Sequence, residues 1–204
     1  MKKFVSIVFI FTTLYLLNNK QKEKYNPVTK KNGAYYVNNH IIVNREYKVC
    51  PFYIPFPKSE AKNNLKLMIK DAQKQGFQLI IISGFRSYFK QMRLFNMYVH
   101  RDGLEKAKTY SAEPGYSEHQ TGLAFDVASP GLDESIKEQF QFTKESKWLQ
   151  DNAHFYGFII RYPKGKEHIT EFMYEPWHLR YIGREDAVGI ANKNLTFEEY
   201  FDLA

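Results

Sequence analysis

The sequence predicts an α+β domain built on a mainly antiparallel central sheet flanked by helices, and three observations carry that prediction. Short β-rich runs and helical patterns alternate irregularly, without the strand–helix–strand rhythm that a parallel sheet requires. Several helical patterns open at a capping residue and stop at a glycine. The 204 residues, 44% hydrophobic and 25% charged, suffice for one full core and leave no room for two large ones.

The elements follow in order. Lys2 and Lys3 precede an apolar run from Phe4 to Leu17, and Asn18 and Asn19 end it. A basic start before a short apolar stretch reads as a secretory signal. The run is short for a full membrane span, which needs about 20 apolar residues. No small-x-small cleavage pattern follows it, so residues 1–19 are either a signal peptide or an uncleaved signal anchor. Residues 20–33 are polar and read as a linker, and residues 34–204 as one folded domain. Ala34 to Val49 contains two β-rich runs broken at Asn38–Asn39, which suggests a hairpin. A helix runs from its cap at Ser59 to Gln75, stopped by Gly76, and Phe77 to Ile82 reads as a short buried strand. Further helices cover Ser87 to His100, Gly103 to Thr109 and Lys144 to Tyr156, the last ended by Gly157. Strands are expected at Leu123 to Val127, Phe158 to Arg161 and His178 to Ile182. Thr196 and Glu199 form a capping box that opens a final helix.

The formal net charge of +7 fits several anionic partners, among them nucleic acid, acidic lipid and an anionic cell wall. No arginine-rich tract accompanies it, and no nucleic-acid partner is expected. Cys50 is the one cysteine, which excludes an internal disulfide and a multi-thiolate metal site. Aromatic residues reach 17%, a content that suits both a large core and the walls of a substrate cleft.

The chemistry concentrates between Ser111 and Val127. His119 lies in a Gly-bearing loop and Asp126 follows seven positions later in a strand; a turn at Gly122 would let both face one point. A second segment, Glu175-Pro176-Trp177-His178, adds a carboxylate and an imidazole. Positions three apart on a regular strand face opposite sides, but Pro176 makes a regular strand improbable there, so Glu175 and His178 can converge. Two His and one Asp make a plausible catalytic zinc set with a fourth position open to water. Spacing alone leaves the alternative open: a capping His119, a salt-bridged Asp126 and a core His178.

The stretch SEHQTGLAFD reads Ser-x-His-x-x-Gly-x-Ala-x-Asp, carried by Ser117, His119, Gly122, Ala124 and Asp126. With SGFRS at Ser83–Ser87 and the EPWH segment, it resembles the VanY-type D-alanyl-D-alanine carboxypeptidases. These belong to a wider group of zinc peptidases that includes lysostaphin-like enzymes and the hedgehog fold. The resemblance covers roughly Ile41 to Leu203 and makes residues 34–204 a zinc D,D-carboxypeptidase domain of that fold type. It implies one Zn2+ held by His119, Asp126 and His178, with Glu175 as catalytic base and acid. It further implies Arg86 as the holder of the substrate's terminal carboxylate, with Gln91 and Ser117 touching the substrate.

The expected activity is hydrolysis of the terminal D-Ala-D-Ala bond of peptidoglycan stem peptides, outside the cytoplasm at the cell surface. An L,D-carboxypeptidase acting on tetrapeptide stems would carry nearly the same motifs. A non-catalytic wall-binding module would have no need of Glu175. Membrane contact is expected only through the N-terminal segment, and a monomer is the default state.

Overall fold

The computed structural model describes residues 27–55, 59–132 and 137–204. The N-terminal apolar run and most of the polar segment behind it lie outside the described residues. Among the described residues, no helix is long and apolar enough to cross a membrane.

The chain opens with a three-stranded antiparallel sheet of β1 (Thr29–Lys31), β2 (Ala34–Val37) and β3 (His40–Ile42). The hairpin broken at Asn38–Asn39 is β2–β3, with both asparagines at positive φ, 45° and 65°, in a two-residue turn. The expected linker over 20–33 needs correction at its end, because β1 already pairs with β2 through residues 29–31. Asn32 and Gly33, at φ 51° and 76°, form the two-residue turn between them. An Asn-Gly pair meets the demand of such a turn for two positive φ values, so the signal was present in the sequence.

The second sheet has the order β4-β5-β7-β6 and is antiparallel throughout. Its strands are β4 (Ile80–Ser83), β5 (Ala124–Ala128), β6 (Phe158–Tyr162) and β7 (Glu175–Tyr181). Side chains alternate across it with period two. Phe125 and Val127 of β5 and Trp177, Leu179 and Tyr181 of β7 enter one core. Helix α1 (Ser59–Lys74) covers that face with Ala61, Leu65, Met68 and Ala72, a stripe at helical spacing. Asp126, His178 and Arg180 occupy the intervening positions and face the other side.

Helix α2 (Tyr88–Asp102) begins where the sequence places it, and Ser87 is its cap, with a hydroxyl that accepts from Lys90 N. It is followed by α3 (Leu104–Tyr110). Helix α4 (Lys144–Asn152) passes into a 3-10 turn at Ala153–Tyr156 and ends at Gly157 with φ 83°. A short α5 (Glu167–Thr170), then α6 (Arg184–Lys193) and α7 (Phe197–Tyr200) complete the chain. Helices α6 and α7 pack with β3 into a second core around Ile42, Ile190, Phe197 and Phe201.

Three sequence expectations change. Helix α6 was not expected; its interior Gly189 weakens the helical signal, and the tertiary reason for that glycine is Tyr200, whose ring would meet an added Cβ. The apolar run before Ser83 is not a buried strand: β4 is a sheet edge, and Ile80 and Ile81 are 41% and 48% exposed. Glu175 and Pro176 lie inside β7 rather than before it.

The capping box formed by Thr196 and Glu199 has both of its hydrogen bonds, at 3.0 and 2.7 Å. Thr196→Ala is expected to lower the unfolding free energy by about 1 kcal/mol, read as a shifted urea midpoint at unchanged slope.

Candidate metal centre and active site

The centre begins with strand register. Asp126 of β5 stands directly opposite His178 of β7, so both project from the same face of the sheet. The β5–β7 pairing is regular, but the two pairings that flank it are not. The β4–β5 register shifts between Ile81 and Ser83. The β6–β7 register shifts between Ile160 and Tyr162, where β7 advances four positions, from Leu179 to Glu175, against two in β6. Such bulges re-aim side chains next to functional sites. The bulge in β7 brings Glu175 to the face of His178: Glu175 Oε2 lies 3.7 Å from His178 Nδ1. The expected convergence of the two residues therefore occurs within a bulged strand.

His119 comes from a 3-10 turn, Glu118–Thr121, that ends at Gly122 in the left-handed region with φ 69°. This turn carries the chain from His119 back into β5. His119 Nε2 lies 3.4 Å from Asp126 Oδ2, and His178 Nδ1 lies 3.1 Å from Asp126 Oδ1. Donor atoms of His119, Asp126 and His178 all fall within 4.8 Å of one another, and all three residues are buried. Two imidazole nitrogens and a carboxylate oxygen are the donor chemistry of a catalytic zinc site.

The second nitrogen of each imidazole is also engaged. His119 Nδ1 lies 2.7 Å from the Gly84 carbonyl, which only accepts, so Nδ1 carries the hydrogen and Nε2 keeps its lone pair for a metal. His178 Nε2 faces Glu118 Oε2 at 3.3 Å. Glu118 was not singled out by the sequence, and it bonds to groups on both β6 and β7. Its Oε1 accepts from Arg161 Nε at 2.8 Å and from Arg180 at 2.6 Å. Arg161 in turn forms a two-pronged pair with Glu198 of α7, at 2.9 and 2.5 Å. No local signal could reveal this role, because its partners come from β6 and β7.

Burial would raise the Asp126 carboxyl, but the facing His119 and His178 imidazoles hold it well below the usual carboxylate range. Burial lowers the His119 imidazole, and neighbouring Arg86 adds to that against the pull of Asp126. For His178, burial also acts downward, but hydrogen bonds to Asp126 and Glu118 outweigh it and lift the group to about 9. Burial would raise Glu118, yet Arg180 and Arg161 hold it far below the ordinary value.

The expected substrate contacts lie in the same cavity of about 340 Å³ as the four residues above. Arg86 follows the β4 bulge; its backbone N–H donates to the His119 carbonyl at 3.1 Å, and its guanidinium passes 3.9 Å from Asp126. One terminal nitrogen donates to Gln91 Oε1 at 2.8 Å and the other to Ser83 Oγ at 3.2 Å. Gln91 is 1% exposed, and its amide nitrogen donates to the Ala112 carbonyl at 2.6 Å and to Ser111. Its bonds orient Arg86 and tie α2 to the loop after α3. Ser117 sits at the start of the 3-10 turn without a side-chain capping bond and lines the cavity.

A family model described as VanY, D-alanyl-D-alanine carboxypeptidase, matches residues 55–184. The chain is 49% identical over 157 residues to the putative carboxypeptidase YodJ of Bacillus subtilis (strain 168), a match that covers 77% of this chain and 56% of the relative. It spans about half the length of the curated relatives it matches. Among solved structures, the LD-carboxypeptidase LdcB superposes with a TM-score of 0.77 at 43% identity, over 87% of this chain and 96% of the other. A variant of the vancomycin-resistance D,D-pentapeptidase VanY, in complex with Zn(II), gives a TM-score of 0.67 at 31% identity, over 78% and 97%. The α+β architecture is the fold of these peptidases.

The protonation states predict the stoichiometry of metal uptake. The ordinary imidazole value is 6.5, so a His178 lifted to about 9 keeps its proton at neutral pH. That proton stabilises the metal-free fold fully below 6.5, and the contribution is lost as pH rises through about 9. A metal on Nδ1 must displace it. Calorimetric zinc titration near pH 7.5, in buffers of different ionisation enthalpy, is expected to show release of about one proton per ion. Zero would mean that His178 is already neutral.

Proposed function

The chain belongs to the VanY family of D-alanyl-D-alanine carboxypeptidases, and from that premise we propose that it is a zinc carboxypeptidase removing the C-terminal D-alanine of peptidoglycan stem peptides outside the cytoplasm. The observation that carries this reading is the placing of Arg86 and Glu175 beside the His119–Asp126–His178 group in one cavity.

His119, Asp126 and His178 would hold the zinc. When bound, zinc supplies Lewis acidity, making a water acidic near neutral pH and offsetting negative charge on the scissile carbonyl oxygen. The protein's own groups do the rest. Arg86 recognises the free carboxylate that defines a carboxypeptidase substrate. Each of its terminal nitrogens spends one hydrogen, on Gln91 or on Ser83, and has a second for the ligand. A planar guanidinium locked in this way offers two parallel charge-assisted bonds, which lysine cannot copy. Glu175 takes the proton of the water as its oxygen bonds to the carbonyl carbon. It then gives that proton to the leaving nitrogen as the C–N bond breaks, leaving a shortened stem and free D-alanine. Gln91 contributes through Arg86, and Ser117 offers its hydroxyl to the substrate backbone.

Two bonds fit this machinery. The family description favours the D,D bond of a pentapeptide stem. The L,D bond of a tetrapeptide stem is better supported by similarity, at 43% identity to the LD-carboxypeptidase LdcB against 31% to the D,D-pentapeptidase VanY.

Mass spectrometry of the zinc-loaded protein with separate tetrapeptide and pentapeptide stems tests both readings. Loss of one alanine from the tetrapeptide is the expected result; loss from the pentapeptide alone returns the assignment to the D,D bond. If neither stem is cut while zinc is bound, the carboxypeptidase reading fails. Glu175→Gln should retain zinc and lose about 100- to 10,000-fold in turnover. Arg86→Lys should lose about 10- to 100-fold in kcat/KM, mainly through KM, which steady-state kinetics on the cleaved stem would read.

A further inference from the structure

We infer that Glu118 is a positioning residue that decides which nitrogen of His178 faces the metal. The inference rests on reading His178 as a metal ligand. The carboxylate is buried at 1% exposure and its two oxygens have separate tasks. Oε1 accepts from Arg161 and Arg180, at 2.8 and 2.6 Å, while Oε2 is turned to His178 Nε2 at 3.3 Å. An ionised carboxylate can only accept, so Nε2 must carry the hydrogen. The lone pair of a neutral His178 is then confined to Nδ1, the nitrogen that faces Asp126 at 3.1 Å.

A carboxylate placed there only to neutralise arginines would not need to face the imidazole. Both guanidiniums have other strong acceptors. Arg161 has both oxygens of Glu198, and Arg180 has the carbonyls of Ile41 and Tyr181. These outer partners hold the arginines, the arginines hold Glu118, and Glu118 holds the ring. The chain of support runs from α7 and β3 to the metal centre, and none of its outer members touches a ligand of the metal. A hydrogen bond from the far nitrogen of a ligating imidazole to a carboxylate fixes its tautomer and strengthens the ligand, and its loss costs about 10- to 100-fold in metal affinity.

The substitution Glu118→Gln makes the inference sharp. Two guanidiniums admit only the amide oxygen on their side. The amide NH2 then faces Nε2, donor against donor, and drives the ring to carry its hydrogen on Nδ1. Glu198→Gln removes a carboxylate from the same network but leaves Glu118 bonded to Arg161 and Arg180 and turned to His178, so it reports what loss of a buried charge does at one remove from the ring.

Zinc titration of the metal-free protein against a chromophoric chelator, with thermal unfolding in parallel, separates the two. Both variants should lose stability. Glu118→Gln should raise the zinc Kd by about 10- to 100-fold, while Glu198→Gln, which leaves the Glu118 carboxylate facing His178, should raise it by a clearly smaller factor. Nitrogen-15 NMR of the wild-type zinc complex should show Nδ1 of His178 on the metal and a slowly exchanging hydrogen on Nε2. This measurement decides the matter even if Glu118→Gln does not fold. Zinc on Nε2 overturns the inference, as does a Glu118→Gln protein with wild-type zinc affinity, or an equal loss of affinity in both variants. Wild-type protein that takes up no zinc overturns the inference together with the metal reading of the site. Wild-type protein that binds zinc while Glu118→Gln binds it equally well overturns the inference alone.

Discussion

Asp126 and His178 stand opposite one another on adjacent antiparallel strands, and the rest of the site depends on that register. In a strand with side-chain period two, a slip of one residue would turn both into the core and bring Phe125 or Leu179 to the cavity. The register is pinned by the other face, where Phe125, Val127, Trp177 and Leu179 pack under α1 and α4. The hydrophobic side of the sheet therefore specifies the position of the chemical side. The two bulged pairings flanking β5 and β7 add what a regular sheet cannot supply: a second acidic residue on the face of His178, and a β4 whose end leads into Arg86.

A buried carboxylate next to the proposed metal ligands is costly to desolvate and persists only when paired. Glu118, Arg161, Arg180 and Glu198 answer that cost together, with two carboxylates and two guanidiniums that cancel in charge and are each at most 3% exposed. Such a cluster is weak support for net stability, since apolar residues of similar volume often serve as well. What it provides is direction. Guanidinium forks accept few geometries, so they fix the plane of Glu118 and, through it, the ring of His178. The same forks join β6 and β7 to α7 and to the backbone of β3. The small N-terminal sheet and the last helix are thus coupled to the metal centre without contributing a ligand.

The cavity has a division of labour set by what each wall can hold still. The sheet wall carries Asp126 on a strand paired on both sides, with His178 paired to it from β7 and Glu175 paired to Tyr162 of β6. The opposite wall, from Gly84 through α2, presents Arg86 through a network of Ser83, Gln91, Ser111 and Ala112. On the proposed reading, reaction groups on the sheet and a recognition group on a helix-supported loop are a natural separation. Proton transfer tolerates little displacement, whereas carboxylate recognition mainly needs a guanidinium of fixed plane.

The sequence by itself determined the features whose causes are local. A helix opens at Ser87, Thr196 and Glu199 close the box at α7, and the hairpin breaks at Asn38–Asn39. These can be read because the bonds involved span a few residues. Two His, an Asp and a Glu could be proposed as a site from the sequence, but their spacing left a structural alternative open, and only the resemblance of three ordered motifs to a known family chose between the two. Tertiary structure decided the rest. Whether Ile80 and Ile81 are buried depends on what lies beside β4, and at the sheet edge nothing covers them fully. The helical state of α6 is offset locally by Gly189 and recovered by packing against Phe197 and Tyr200. Glu175 and His178 converge because β7 bulges against β6, a property of the pair of strands and not of either one. Glu118 acquires its role from arginines 43 and 62 positions away. The common reason is range: turns and caps are satisfied within one segment, whereas burial, register and charge pairing are shared between segments that meet only when the chain is folded.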